Sequence, residues 1–594
     1  MIESHPLVFG EQTLVRGVLE LPGSMTGWSR GAVVCTPLLH QNITSYRPLR
    51  TLARRLAEEG RPVLRFDWPG CGDSADPAEP GVSAWTVAVH DAVAALREQT
   101  GVAEVALVGL RIGATLGMAA AVEEPVVSEL VLLAPFPSGR TYLRELSAFQ
   151  SLSQDPAVEA DQPVPPHPEG SMEASGFLLL PEEVAALEAL DLSTLDLAPL
   201  AARRALIATP RPDRRVAAFA ERLAAVGLDV ANVIEGDLTK LLEGTNHSVL
   251  PRSCADLIVG WLQGAEAQPA PARRSPPQRT ALTLAPAATR EDAVVLQTER
   301  GTLMGVTCEP STAGGDDAWV VFLNAAKVRK VGPNRLWTTF ARHWAQSGVQ
   351  SFRFDSHGVG DSDGAAGPDE VAVDDDAQYY EPGFVADTLD AFAWLAASKG
   401  ARRFALVGLC SGATWAFSAA LVDERVVSVA LVNPRTLFWD ERATSLKAWA
   451  EARQIARSPS QWHTVLRRGM RWWATDAARG GILSARGRGD DSWHTTEILS
   501  CVRRLAARRV EMLCLFCAGD RGIPYFERHL GPDFCSLLAA EGVDVEVING
   551  PDHTFRPLWS HAVLRRALER PLGRAGVLGD VATGGPDRVD AGTG

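Results

Sequence analysis

At 594 residues the chain is too long for one ordinary core, and 46% hydrophobic against 22% charged residues is the balance of a soluble globular protein. A net charge of −14 argues against nucleic acid as a general partner. No apolar run reaches the roughly 18–20 residues of a membrane helix, and the N-terminus has no basic stretch leading into an apolar core, so neither a membrane span nor a signal peptide is expected.

In chain order, the strand LVRGVLELP is followed by the strand AVVCTPL, the helix YRPLRTLARRLAEEG and the strand PVLRFD. The loop Asp67-Trp68-Pro69-Gly70-Cys71-Gly72-Asp73-Ser74 comes next. ALVGLRIGATLGMAAAV, from Ala106, then reads as an apolar strand turning sharply into an apolar helix, and ELVLLAP ends at Pro135. A proline-rich insertion, about Ser138 to Leu200, reads as a loose cap. The whole pattern then recurs. WVVFLNA, NRLWTTFARHWAQSG and QSFRFD repeat the strand, helix and strand, and Asp355 to Ser362 repeats the loop at an offset of 288. ALVGLCSGATWAFSAAL, from Ala405, repeats the second motif at an offset of 299, so the second copy holds about eleven extra residues, placed at VDDDAQYYEPG from Val373.

Alternating strands and helices predict α/β architecture in each copy, a mostly parallel sheet with helices on both faces. The expected organisation is a first domain at 1–263, a Pro/Ala-rich linker at 264–292 without a core of its own, a second domain at 293–575 and a disordered tail at 576–594. Nine scattered cysteines fit free thiols in a reducing cytoplasm better than a disulfide framework, and Cys514-x-x-Cys517 lies in an apolar run that reads as a buried strand.

The second copy's turn is Gly408-Leu409-Cys410-Ser411-Gly412, with cysteine where the chain bends most tightly and glycine two residues to each side. Downstream, MLCLFCAG ends at Asp520 and VDVEVINGPDHTF delivers His553. A thiol needs a base to take its proton and a carboxylate to orient that base, and these two arrive in order on the loops after later strands. Asp552 is a competing acid, disfavoured because adjacent side chains diverge. Oxyanion donors are expected from the N–H of Ser411 and one at Asn324 or Ala325. Arg335, in GPNRLW, either binds a substrate anion or anchors its loop.

These motifs resemble the nucleophile elbow and its surroundings in the α/β-hydrolase superfamily, over nearly the whole of both copies, with cysteine in place of the usual serine. The GPNR-like and GL[RC]-x-GA stretches resemble small hydrolases found beside exosortase systems. The elbow alone resembles cysteine-dependent acyl or aminoacyl shuttles and some thioesterases. The first copy departs at its centre: Arg111 takes the nucleophile position, and a guanidinium cannot attack a carbonyl. Asp213 and His247 keep the matching places, and Pro37, which has no N–H, falls where Asn324 falls. Arg111 then binds a carboxylate or phosphate, or pairs with Asp213 as a relic; a structural role is the plainer reading.

A cap is expected at about 437–509, carrying Trp439, Trp449, Trp462, Trp472, Trp473 and Trp493. It has fourteen Arg/Lys against seven Asp/Glu, a basic patch within an acidic protein. That suits an acidic acyl or peptidyl carrier protein with its phosphopantetheine arm, or CoA; no metal and no other cofactor is expected. The sequence thus supports acyl transfer from a thioester through Cys410, His553 and Asp520. Ester or amide hydrolysis, or a non-catalytic scaffold, are the alternatives.

Overall fold

The computed structural model describes residues 2–23, 28–153, 167–263, 281–284, 289–311, 317–364, 376–438 and 492–579. It divides into two compact units, Met1–Val373 with Asn549–Gly594, and Asp374–Ile548. The expected cap lies mostly at 439–491, and the expected tail mostly beyond 579, both outside the described residues.

The first unit runs β1 (Glu3–Phe9), β2 (Val15–Leu21), β3 (Arg30–Cys35), α1 (Leu39–Glu58), β4 (Val63–Phe66), α2 (Val82–Thr100), β5 (Glu104–Leu110), α3 (Ile112–Ala121) and β6 (Val127–Leu133). The first copy's insertion then forms α4 (Gly139–Ser153), the hairpin β7 (Met172–Ala174) and β8 (Phe177–Leu179), and α5 (Pro181–Ala189). After it come β9 (Arg204–Thr209), α6 (Arg214–Ala225), β10 (Asp229–Ile234) and α7 (Arg252–Gln263). The sheet order is β1-β2-β4-β3-β5-β6-β9-β10, parallel from β4 onward. Successive apolar residues serve opposite faces: Val33 and Leu107 pack with α2 and α3, while Val34 and Val108 pack with α1 and α7.

The same unit continues with β11 (Ala281–Leu284), β12 (Thr289–Thr298), β13 (Gly301–Pro310), β14 (Ala318–Phe322), α8 (Leu336–Gln346) and β15 (Gln350–Asp355), in the order β11-β12-β13-β15-β14. The stretch read as a linker therefore needs correction at its C-terminal end. Ala281–Leu284 pairs antiparallel with Thr289–Asp292 and buries Leu282 fully, because ALTL is a short apolar strand hidden in Pro/Ala-rich surroundings.

The second unit holds α9 (Gly383–Lys399), β16 (Arg403–Leu409), α10 (Ser411–Val422), β17 (Val426–Val432), α11 (Ser492–Ala507), β18 (Glu511–Cys517), α12 (Ile523–Leu530), α13 (Phe534–Ala540) and β19 (Val543–Ile548). Its strands run parallel in the order β16-β17-β18-β19, repeating β5-β6-β9-β10. Helix α14 (Trp559–Arg574) belongs to the first unit. Where the first copy passes from β4 at Phe66 to α2 at Val82, the second passes from β15 at Asp355 to α9 at Gly383, so the added residues lie between those elements. Among the described residues no helix is long and apolar enough to cross a membrane.

Inside the first unit, the two repeated Asp-to-Ser loops meet crosswise. Arg65 donates to Asp361 at 3.0 Å, and its counterpart Arg353 donates to Asp73, the counterpart of Asp361, at 3.1 Å. Arg329 grips Asp67 at 2.6 and 2.9 Å, and Lys330 reaches Asp355 at 3.2 Å and Asp361 at 3.0 Å. Glu20 adds a bond from Arg65, and Glu291 takes Arg342 and Arg353. With Arg16 this makes six cations and six carboxylates, every one buried. The sum is neutral, which is the condition under which so many charges are tolerated away from water.

Candidate active site

Both elbows adopt the same strained backbone. Cys410 has φ 59° and ψ −120° between β16 and α10, and Arg111 has φ 58° and ψ −127° between β5 and α3. Such angles cost a non-glycine residue about 1–3 kcal/mol and persist only where the surroundings enforce them. Each apex is pinned from the neighbouring strand: Cys410 N–H donates to Val432 O at 3.0 Å, and Arg111 N–H to Leu133 O at 2.8 Å. The flanking glycines are required by space. A Cβ on Gly408 would lie 2.1 Å from Gly412 O, and one on Gly109 2.3 Å from Ala114 Cα. Cys410 is partly exposed at the head of α10, with Ser411 as the first residue of the helix. Burial pushes the thiols of Cys35 and Cys308 up to about 12, and Cys514 and Cys517 are buried in β18 as expected.

In the same unit as Cys410, Asp520 is 6% exposed three residues beyond β18. Its Oδ1 accepts from Gly522 N–H at 2.8 Å, and Gly522 is wedged so that a Cβ would lie 2.0 Å from Pro434 O. Asn433 ties the ends of β17 and β18 together, accepting from Cys517 N–H at 2.7 Å and donating to its Sγ at 3.2 Å. Two residues missed in the sequence share this neighbourhood. Tyr380 has its hydroxyl pushed well up by burial, then by the nearby Cys410 and Asp520, against the opposing pull of Arg435. Tyr380 belongs to the added loop, whose position was visible in the change of offset. Arg435 follows β17 directly and carried no signal of its own.

The other expected residues belong to the first unit. His553 lies on the loop between β19 and α14. Its neighbour Asp552 is engaged within that loop, accepting from the N–H groups of Thr554 and Arg556, each at 3.0 Å, and from the Arg556 guanidinium. Asn334 donates to Thr554 O at 2.8 Å, and Glu173 of β7 accepts from Leu558 N–H at 2.8 Å, so the first copy's insertion braces this loop. The side chain of Asn324 serves its own turn, donating to Val328 O and Asp355 and accepting from Ser356 N–H. The strand registers pair Ala32 with Val63 and Val320 with Ser351, which moves Pro37 by one residue to the place of Ala325. Proline thus stands where Ala325 offers an N–H. Arg335 donates to Gly72 O at 2.9 Å and Ser74 O at 2.7 Å and pairs with Asp76, the loop-anchoring alternative.

In the first copy, the guanidinium of Arg111 pairs with Glu145 of α4 and stacks on Phe136, 4.1 Å from the ring centre. Its partner is therefore not Asp213, which caps α6 by accepting from Arg215 and Val216 N–H, while His247 lies in a turn that closes onto Gly244 O.

Residues 38–163 match the model of the α/β-hydrolase fold family. Solved structures with similarity include an esterase of Pyrococcus furiosus (13% identity over 48% of this chain and 91% of that one, TM-score 0.32). Others are the esterase Est1E of Butyrivibrio proteoclasticus (13%, 44% and 99%, TM-score 0.30) and a proline iminopeptidase of Mycobacterium smegmatis (16%, 47% and 98%, TM-score 0.31). Comparison with curated protein sequences finds no match.

Proposed function

The chain carries the α/β-hydrolase fold, and on that premise we propose that its second copy is a cysteine-dependent acyl-transfer enzyme acting on a thioester. The observation that carries the reading is Cys410, held at a strained elbow, partly exposed, at the head of α10 and in one unit with the strand-end Asp520. His553 takes the thiol proton and Asp520 orients it. The Cys410 sulfur bonds to the acyl carbon, the substrate's C–S bond breaks, and the proton passes from His553 to the leaving thiol. The N–H of Ser411 and that of Asn324 or Ala325 receive the oxyanion. Exchange of one thioester for another is nearly isoenergetic, so the acyl group stays activated for a second acceptor; this favours transfer or thioester cleavage over plain ester or peptide hydrolysis. The donor thiol is phosphopantetheine on an acidic carrier protein, or CoA, drawn by the basic residues of 437–509 in a cytoplasmic setting.

The first copy is the non-catalytic partner in this reading, because Arg111 supplies no nucleophile and Pro37 no N–H. Intact-protein mass spectrometry after brief incubation with acyl- and aminoacyl-pantetheine thioesters tests the proposal, with Cys410→Ala in parallel. The expected result is a gain of one acyl mass, absent in the variant, that persists until a thiol or amine is added. Loss of the adduct to free acid would make the protein a thioesterase or hydrolase. No adduct and no turnover with any donor would refute the enzymatic reading.

A further inference from the structure

We propose that the first copy is a receptor for a small organic carboxylate, and that the side chain of Glu145 holds the ligand's seat in this structure. Arg111 is fixed at the apex of the elbow, with its guanidinium over Phe136. One of its nitrogens, Nη2, serves both oxygens of Glu145, and Gln41 Nε2 adds a bond to Oε1 at 3.1 Å. Glu145 rises from α4 with its side chain 45% exposed, so it has solvent to swing into.

A relic ion pair would explain Glu145 but not its surroundings. Four buried polar atoms close by have no hydrogen-bond partner: Arg111 Nε, Gln41 Oε1, His40 Nδ1 and the hydroxyl of Tyr142. Tyr142 is fully buried, and its ring centre lies 5.2 Å from that of Phe136, the ring beneath the guanidinium. Gln41 is 9% exposed. Native proteins rarely leave buried polar groups unsatisfied, and several around one cation mark a place built for something else.

The geometry favours a carboxylate. Tethered to α4, Glu145 leaves the Nε edge of Arg111 unused. A free carboxylate aligns its two oxygens with Nε and Nη2, the planar two-bond fork that guanidinium prefers, and accepts a further bond from the Tyr142 hydroxyl. His40, held neutral by burial with its pKa pushed down to about 4, adds hydrogen-bonding capacity without a second charge.

The test is ligand-observed saturation-transfer NMR on the full chain with acetate, butyrate and octanoate, and with inorganic phosphate read as a competitor that displaces them. All samples carry Cys410→Ala, so no turnover consumes a probe and failure of the acyl-transfer reading leaves the result intact. At least one carboxylate is expected to bind, Arg111→Met to abolish binding, and Glu145→Gln to tighten it on the order of tenfold by removing the internal competitor. Tyr142→Phe should weaken it about fivefold. Should Arg111→Met fail to fold, the Glu145→Gln comparison decides alone. The proposal is overturned if no carboxylate binds with or without Glu145→Gln, if binding survives Arg111→Met, or if phosphate binds better than every carboxylate.

Discussion

Glu291 is fully buried on β12, accepting from Arg342 Nε at 3.1 Å, Arg342 Nη2 at 2.9 Å and Arg353 Nη2 at 2.6 Å. Glu291→Gln keeps the volume but leaves these guanidiniums buried with one charge too few. Removing one partner from a buried ion cluster costs about 3–5 kcal/mol. The electrostatics of the same carboxyl give a second magnitude. Burial alone raises its carboxyl; Arg342 and Arg353 more than reverse this and bring it from 4.5 to about 2. At about 1.4 kcal/mol per pH unit, that difference is worth about 3 kcal/mol. Because the folded value is depressed, this stability is complete above pH 4.5 and is lost as pH falls toward 2. His40 and His561, both lowered to about 4, act in the adjacent window: the folded state resists their protonation, so stability falls from pH 6.5 to 4 in wild type and variant alike. Urea unfolding followed by tryptophan fluorescence at pH 7, 4 and 2.5 reads all of this. The variant should be weaker by about 3 kcal/mol at pH 7, and the gap should close at the lowest pH. A gap under 1 kcal/mol at pH 7, or one that does not narrow on acidification, would refute the assignment of Glu291 as the counter-ion of this cluster.

Three further outcomes follow from the geometry. Asp361→Leu alone should cost about 3–5 kcal/mol, and Asp361→Leu with Arg65→Met should cost less than the sum of the two single losses, since the two groups share one buried contact, while Lys330 and Glu20 each lose a partner in the double variant; additive losses would argue against direct coupling. Gly408→Ala should abolish soluble protein or lower Tm by many degrees, because its Cβ meets backbone at 2.1 Å, while Gly573→Ala, with nothing within 4 Å, should be neutral or stabilising by up to about 1 kcal/mol in thermal melts. Brief iodoacetamide treatment at pH 7.5, read by peptide mass spectrometry, should label Cys410 before the buried Cys35 and Cys308, of whose thiols fewer than about one in ten thousand are ionised at that pH; equal labelling would refute the contrast.

Much of the fold was legible because its signals are local. The elbows show in a few residues, since apolar strand, glycine spacing and apolar helix are contiguous, and Asp520 and His553 were found as residues at the ends of later strands. The crosswise contacts were not legible: Arg65 and Asp361 look like ordinary solvated charges until a fold brings together residues 296 apart. Tyr380 and Arg435 were hidden for the same reason. The one-residue error at Pro37 arose because an apolar run carries no punctuation, so only the hydrogen-bond register fixes which residue faces which. The strand at Ala281–Leu284 was missed because composition over a long window outweighed four residues whose partner lies beyond them.

The exchange of Arg65 with Asp361 and of Asp73 with Arg353 is a self-complementary pattern, in which residue i of one half meets residue j of the other, and j meets i. Two identical subunits make such an isologous contact about a two-fold axis. Here the two reciprocal contacts join loops of a single polypeptide, so they form at fixed stoichiometry and independently of concentration. In a homodimer any substitution at the elbow strikes both subunits at once. With the halves joined, arginine stands at one apex while cysteine stands at the other, and neither change is copied to its twin.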